Sequence, residues 1–286
     1  MSKRQRGITE AVIARRIKEG RGKGRGIDYK PWLTTQDVPS DGLAHRKSSW
    51  TVGREHQLMS TLELHYMFIF DWFSSIIDIR EQFPLLPLKD TMAIAEELGI
   101  NHPVDPETKE LNVVTTDFVI TIRDGDSHID RAVAVKPAAK LQDPRVIEKL
   151  EIERTYWRTA GVDWCIATQK DLNPHFVANV QFLHDYHQLP EESLSEQQLA
   201  DIITTLSQHI HTPIALTQIA ANCDTALGLV RGTSLPVAYH LIATRQWYIN
   251  LRVPLNPSKP LAFCPPLPSD CADMHEMVMS RGDVTE

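Results

Sequence analysis

Two apolar, β-branched segments near the middle of the chain alternate with polar residues as strands do. The first is 116–120 (Thr-Asp-Phe-Val-Ile) and the second is 132–137 (Ala-Val-Ala-Val-Lys-Pro). The sequence Arg-Asp-Gly-Asp at 123–126 is a strong turn signal, so we predict an antiparallel hairpin. This hairpin places Asp117 near the start of one strand and Lys136 at the end of the other.

The flanking residues predict a compact mixed α/β unit that ends near Lys170. The helix at 60–72 begins with a capping sequence, Ser-Thr-Leu-Glu, and the long helix at 144–160 has proline in its first turn and Gly161 just after its end. We expect helices at 8–19, 60–72, 91–98 and 144–160, and further strands at 76–83 and 164–167.

After residue 173 the pattern changes to helices, which we expect at 175–188, 195–210, 214–221 and 233–245. The last two resemble a helix-turn-helix, and 247–251 resembles a first wing strand. The second helix of that pair carries only Arg245 as a strong cation, so a generic three-helix domain without DNA contacts is an equal alternative. We therefore divide the chain into a basic arm, a core, a C-terminal domain and a disordered proline-rich tail, at 1–55, 56–170, 173–255 and 256–286.

Composition narrows the class of protein. The 286 residues suffice for one large domain or two ordinary ones. The sequence has no apolar run of about 18 residues, so we predict no membrane span. Its N-terminus leads into an amphipathic helix rather than a signal peptide. The four cysteines are scattered, which argues against a disulfide framework or a zinc site. These features favour a protein of a reducing cytoplasm without membrane contact.

Charge is unevenly distributed. The net charge is −7, but residues 1–55 hold thirteen Lys/Arg and six Asp/Glu. The glycine-rich sequence at 20–26 follows a helix and lacks Gly-Lys-Ser/Thr, which excludes a P-loop or a dinucleotide motif. We expect a flexible basic ribbon along DNA phosphates, with a solvated tail or plain linker as the alternative. The candidate DNA contacts are Arg15, Arg16, Arg21, Lys23 and Arg25.

Glu63, Asp117 and Lys136 are the residue types that metal-dependent nucleases use. One or two Mg²⁺ ions held by a few carboxylates activate water and stabilise charge on the phosphate, and a lysine can position or deprotonate that water. Each residue also has a simpler explanation. Glu63 can complete a capping box, Asp117 can be a strand-end turn acid, and Lys136 can extend to solvent. The three together are more specific than any one of them.

Six stretches of the sequence resemble the TnsA family of transposase endonuclease subunits. They are 12–22, 29–34, 78–87, 116–118, 135–139 and 150–157. The resemblance covers residues 8 to about 175 and continues more loosely through the helical half. It implies a restriction-endonuclease-like core with a PD-(D/E)xK-type site, followed by a winged-helix domain.

The resemblance also implies an activity, which is hydrolysis of the 5′ strands at transposon ends with Mg²⁺, for which Mn²⁺ substitutes. By position, Glu63 and Asp117 match metal-binding carboxylates, Lys136 the catalytic lysine, and Glu153 a further acid. An exposed ion pair with Lys149 is the alternative for Glu153. The implied partners are a TnsB-type transposase, which cuts and joins the 3′ strands, and a TnsC-type ATPase regulator, which docks on the C-terminal domain.

One position departs from the family pattern, which has glutamine two residues before the lysine. Here that position is Ala134, so a side-chain metal ligand is missing. We expect the backbone carbonyl of Val135 to bind metal instead, and His128 or Asp130 could compensate. The rival hypothesis that follows is a cleavage-impaired adaptor between TnsB and TnsC. A stand-alone restriction or repair nuclease on the same core is a separate alternative. The intact trio of acids and lysine favours the endonuclease, and the weakly basic second domain argues against the stand-alone enzyme.

Overall fold

A computed structural model of the chain describes residues 7–37, 43–189 and 194–265. These residues divide into two compact units, and the boundary lies between Asp171 and Leu172. The predicted core ended at 170, and the predicted C-terminal domain began at 173. No helix within the described ranges is long and apolar enough to cross a membrane.

The first unit combines helices with a mixed sheet. Its described helices are α1 (Glu10–Lys18), α2 (Thr61–Trp72), α3 (Leu88–Glu97) and α4 (Pro144–Thr159). Its described strands are β1 (His45–Ser48), β2 (Glu55–Leu58), β3 (Ile76–Pro84), β4 (Thr115–Asp124), β5 (Ser127–Val135) and β6 (Asp163–Ala167). The antiparallel pair β1–β2 was not predicted, because its polar residues lack apolar alternation. The predicted arm at 1–55 thus contributes β1 and the first residue of β2 to this unit.

The main sheet has the strand order β3-β4-β5-β6. Strands β3, β4 and β5 are antiparallel neighbours, whereas β6 is parallel to β5 and is reached through α4. The predicted hairpin is confirmed and is longer than expected, since Asp124 still pairs with Ser127. The turn is reduced to Gly125-Asp126, and the positive φ of 58° at Gly125 is the conformation that glycine adopts at little cost.

Helices cover both faces of β4. Phe118 and Val119 are adjacent in the strand, so their side chains point to opposite faces. On one face the ring of Phe118 meets that of Phe70 of α2 edge-on, with centroids 5.2 Å apart. On the other, Val119 belongs to a buried cluster with Trp157 of α4. Two helices packed against one strand fix the position of the residues at its start, including Asp117.

Residues 20–30 form an ordered turn, so the expectation of a flexible ribbon is wrong. The N–H of Gly22 donates to the carbonyl of Lys30 at 2.6 Å, and the N–H of Lys30 donates to the carbonyl of Lys23 at 3.1 Å. Gly22 has a φ of 79°, and a Cβ there would lie 2.2 Å from Cγ of Pro84. Glycine is therefore required where this turn packs against the end of β3.

The second unit is helical in its described part. Its helices are α5 (Pro174–His184), α6 (Glu196–His209), α7 (Leu216–Ala226) and α8 (Ser234–Ala243). The buried carboxylate of Asp224 in α7 accepts hydrogen bonds from the N–H groups of Gly232 and Ser234 and from the Ser234 hydroxyl. Asp224 thereby caps α8 from outside that helix and fixes the turn between α7 and α8.

Two predictions for the second unit need correction. The expected wing strand at 247–251 is reduced to a single antiparallel bridge between Ile249 and Phe263. Residues 256–265, which we expected to be disordered, are held by backbone hydrogen bonds, because the carbonyl of Pro257 accepts from the N–H of Thr217 at 2.9 Å. The sequence gives little sign of this because proline-rich segments have few local hydrogen bonds. The rest of the predicted tail, 266–286, lies outside the described residues.

Candidate active site

Asp117 joins the two strands of the predicted hairpin at their far end from the turn. It is the third residue of β4, and Phe118 beside it lies opposite Val133 of β5. Its Oδ2 atom accepts hydrogen bonds from the N–H of Val135 at 2.7 Å and from Nζ of Lys136 at 2.6 Å. No donor within the described ranges reaches Oδ1, which leaves this oxygen available to an ion. The alternative of an isolated strand-end turn acid does not describe these contacts.

Lys136 is held at the end of β5 as a cation. Its N–H donates to the carbonyl of Ala167 at the end of β6, and its side chain is 32% exposed. Burial alone would lower the pKa of Lys136, but the carboxylates of Asp117, Glu153 and Glu63 outweigh it, and the pKa is raised. The ammonium is therefore charged at neutral pH and lies among acids.

Glu63 occupies the first turn of α2 and has two roles. The Ser60 hydroxyl accepts from the N–H of Glu63 at 3.1 Å, and the Glu63 carboxylate accepts from the N–H of Met59 at 2.8 Å, so the capping explanation is partly correct. Its pKa is nevertheless raised to about 7, first by burial and second by the negative charge of Asp117. Capping and membership of the acidic cluster are therefore compatible.

Glu153 lies inside the first unit, so the alternative of an exposed pair with Lys149 is wrong. Its side chain is buried in α4, and the indole N–H of Trp164 in β6 donates to Oε1 at 3.0 Å. Burial and the charge of Asp117 raise the pKa of Glu153 to about 7. The parallel connection from β5 through α4 to β6 is what brings this carboxylate toward Lys136.

This cluster has the donor chemistry of a divalent-cation site. Three largely buried carboxylates share one lysine, and the raised pKa values of Glu63 and Glu153 show that their negative charge is not fully compensated. No three His, Cys, Asp or Glu side chains among the described residues converge on one point closely enough to hold an ion by themselves. A set of one or two carboxylates, a backbone carbonyl and water is nonetheless what Mg²⁺ prefers. The residues present fit such an ion, with Glu63, Asp117 and the carbonyl of Val135 as its candidate ligands.

The two residues expected to compensate for Ala134 lie elsewhere. Asp130 pairs with Thr121 in the hairpin, and its carboxylate accepts from Arg80 and Arg25 at 2.9 and 2.8 Å. His128 is exposed near the turn, opposite Arg123. The register of the hairpin separates both from Asp117, so neither takes the place of the missing glutamine.

The five basic residues that we expected to contact DNA fall into two groups. The guanidinium of Arg16 is buried, lies over the ring of Trp32 at 5.5 Å and is 3.4 Å from Asp37. Arg21 is 17% exposed and donates to Asp37 at 2.6 Å. These two arginines pack the N-terminal segment together, which corrects their prediction as DNA contacts. Three remain at the surface, namely Arg15 at 59% exposure beside Glu19, Arg25 at 58% beside Asp130, and the exposed Lys23.

Gln82 is a residue of this region that sequence reasoning missed. Its side-chain Nε2 donates to Oε2 of Glu63 at 3.1 Å. In the sequence it is an ordinary polar position in the alternating run of β3. Its φ of 49°, rare for a residue other than glycine, becomes visible only in the structure.

Comparison with known proteins gives a consistent result for both units. Residues 73–169 match the family model described as "TnsA-like endonuclease N terminal", and residues 171–251 match "TnsA endonuclease C terminal". The chain is 47% identical over 202 residues to the Escherichia coli protein named "Transposon Tn7 transposition protein TnsA". That alignment covers 71% of this chain and 71% of the relative.

Proposed function

The chain belongs to the TnsA endonuclease family, and we propose that it hydrolyses DNA at transposon ends with a divalent cation bound by Glu63 and Asp117. Family membership makes it the endonuclease subunit of a transposase. The main support for metal dependence is the contact of Nζ of Lys136 with Oδ2 of Asp117 at 2.6 Å, at the ends of neighbouring strands. Two further buried carboxylates, those of Glu63 and Glu153, belong to the same cluster.

Each residue of the cluster has a distinct part in the proposed reaction. A bound Mg²⁺ or Mn²⁺ would lower the pKa of an attacking water and neutralise charge on the phosphate. Glu63, Asp117 and the carbonyl of Val135 would hold the ion. Lys136, kept as a cation by its acidic neighbours, orients the water and offsets the negative charge that develops on the phosphate. Glu153, fixed by Trp164, keeps the ammonium of Lys136 directed toward Asp117.

The finer assignments of fold and partners are also proposals. Three antiparallel strands followed by a parallel fourth, reached through a helix, support a restriction-endonuclease-like core. The α7–α8 pair and the bridge after it support a reduced winged-helix domain. We assign 5′-strand cleavage to this protein, 3′-strand chemistry to a TnsB-type transposase, and the second unit to docking of a TnsC-type regulator.

We assign the proposed DNA-contacting role of the basic segment to Arg15, Lys23 and Arg25, whose side chains are exposed. We expect Arg15→Ala combined with Lys23→Ala to weaken binding of transposon-end DNA and to reduce the slope of log K against log salt by about 2, one unit for each lost phosphate contact. The control is Lys89→Ala, an exposed lysine of α3. An unchanged slope in the double variant would place DNA elsewhere on the molecule.

The decisive experiment is strand-specific cleavage of labelled transposon-end DNA by this protein with its TnsB and TnsC partners. We expect 5′ cuts with Mg²⁺ or Mn²⁺ and none with a chelator. Asp117→Asn should reduce 5′ cutting at least about a thousandfold, or about 4 kcal/mol, because it removes a ligand charge. The amide oxygen of the variant can still accept from the N–H of Val135, so the strand pairing is retained.

The matched control is Asp124→Asn, an exposed aspartate of the same strand, which should cut normally. Wild-type cutting by Asp117→Asn would show that the site is misassigned. If the wild-type protein supports cutting and joining of 3′ ends but makes no 5′ cut, the adaptor hypothesis replaces the endonuclease reading. In that case Ala134→Gln is the variant expected to restore 5′ cutting.

A further inference from the structure

Gln82 departs from regular strand geometry beside the proposed site. It lies in β3 between Glu81, which pairs with Phe118, and Phe83, which pairs with Thr116, so it is opposite Asp117. Its φ is 49°, whereas strand residues have φ near −120° to −140°. Gln82 is also buried. A buried glutamine with this backbone is strained, and such strain persists only where the surrounding structure enforces it.

Hydrogen bonds hold both the backbone and the side chain of Gln82 in this conformation. Its carbonyl accepts a hydrogen bond from the N–H of Trp32 at 3.1 Å, and Trp32 is itself almost fully buried. Its side-chain Nε2 donates to Oε2 of Glu63 at 3.1 Å. The N-terminal segment thus holds the backbone of Gln82, and the amide of Gln82 holds a carboxylate of the proposed metal site.

The amide suits a positioning role because it carries no charge. An arginine or lysine at this place would neutralise Glu63 and compete with a bound cation, whereas a neutral N–H donor fixes one carboxylate oxygen and leaves the negative charge in place. The Met59 N–H donates to the same oxygen, so Oε2 is fixed from two directions. Partners of this kind orient metal-binding carboxylates in other proteins.

We propose that Gln82 is a positioning residue, which orients the Glu63 carboxylate for the divalent cation that it binds together with Asp117. This inference rests on the proposed function, because it needs a cation at this site. It goes beyond that function by assigning the strained conformation of β3 and its contact with Trp32 to the preorganisation of one metal ligand.

The test measures Mn²⁺ binding to the full-length protein without DNA by isothermal titration calorimetry. Gln82→Met keeps the approximate size of the side chain and the backbone strain but removes the amide donor. We expect its dissociation constant for Mn²⁺ to rise about 10- to 100-fold. The midpoint of thermal unfolding, measured with a chelator, monitors the fold. The control is Gln142→Met, at an exposed glutamine of the same unit, which should bind Mn²⁺ as the wild type does.

Gln82→Gly provides a second variant in case Gln82→Met fails to fold, because glycine adopts the positive φ without strain and also lacks the amide. It should show the same loss of affinity. If the Gln82 variant that folds binds Mn²⁺ with wild-type affinity while Asp117→Asn binds it more weakly, only the proposed role of Gln82 is overturned. Wild-type affinity in Asp117→Asn would instead overturn the metal site itself, and with it the proposed function.

Discussion

The first unit holds two clusters of buried carboxylates with opposite charge balance. In one, Glu81 is fully buried and accepts from Arg54 at 2.6 Å, from Nδ1 of His56 at 2.7 Å and from the N–H of Gln57 at 3.0 Å. In the other, three carboxylates, Glu63, Asp117 and Glu153, share the single ammonium of Lys136. The carboxylates of both clusters are buried, so burial alone does not distinguish them.

The pKa values separate the two clusters. Burial would raise the pKa of Glu81, but His56 and Arg54 outweigh it and hold the pKa at about 2. Glu63 and Glu153 have burial and a neighbouring carboxylate acting in the same direction, and their pKa values rise to about 7. A buried acid with all its partners in the chain is a structural anchor, whereas a surplus of buried negative charge is suited to a cation from solution.

The largest expected effect is a loss of stability when Glu81 loses its charge in the cluster that it forms with Arg54 and His56. Glu81→Gln removes the charge that compensates Arg54 and leaves donors without their partner inside the unit. We expect the free energy of unfolding to fall by about 3–5 kcal/mol, measured by urea denaturation. Glu55→Gln serves as the control, because Glu55 is exposed and its pair with Arg46 is long at 3.8 Å, so the change should stay below about 1 kcal/mol. Equal effects of the two substitutions would contradict the anchoring role of Glu81.

Binding of Mn²⁺ should have a smaller effect on stability, because the cation compensates the surplus negative charge of the proposed metal site. Mn²⁺ at about one hundred times its dissociation constant should stabilise the wild-type protein by about 2.7 kcal/mol, because only the folded chain brings the ligands together. Asp117→Asn should lose most of this stabilisation, whereas Asp124→Asn, at an exposed position of the same strand, should keep it. Denaturation curves with Mn²⁺ and with chelator measure the difference. Full stabilisation of Asp117→Asn would locate the ion elsewhere.

The smallest expected effect is a pH dependence with opposite signs at the two clusters. In chelator, Glu153 has a folded-state pKa of about 7, above the ordinary 4.5, so stability is lost as pH rises from about 4.5 to 7. Glu81 has a folded-state pKa of about 2, so its contribution is present above about pH 4.5 and is lost as pH falls toward 2. Relative to the wild type, Glu153→Gln should therefore increase the free energy of unfolding by about 2 kcal/mol more at pH 8 than at pH 5.

Denaturant midpoints across this range measure the profile, and Glu97→Gln, at an exposed position of α3, is the matched control. A profile of the Glu153→Gln variant that parallels the wild type would mean that Glu153 is ionised without cost and has a compensating partner. That result would remove the contrast between the two clusters.

The elements that sequence reasoning predicted well are those with local causes. The alternation of β4 and β5 with Gly125 in the turn is confirmed, and so are the proline and glycine that bound α4. Asp117 and Lys136 follow directly from that hairpin, because the register of paired strands brings its two ends together. Glu63 was predicted together with Asp117 and Lys136, although its capping sequence also allowed a structural role. Glu153 entered only through the resemblance to the TnsA family, since spacing alone also allowed an exposed ion pair.

The predictions that failed concern residues whose role depends on distant partners. Arg16 and Arg21 count as basic residues in any local window, yet Trp32 and Asp37 make them part of the packing. The glycine-rich segment at 20–26 was expected to be flexible, but Asp78 and Pro84, more than fifty residues away in the chain, fix its conformation. Charge and composition indicate what a segment can bind, and the fold decides whether those groups are still free to bind it.

The sequence by itself determined the helices, the hairpin and the chemical types of the candidate site, because periodicity, turn residues and caps act over a few neighbouring positions. Only the tertiary structure decided which carboxylates are compensated, which arginines are buried and why Gln82 is strained. Those properties depend on burial and on charges brought together from distant parts of the chain, and the same side chain can be an anchor or a ligand according to the partners that the fold supplies.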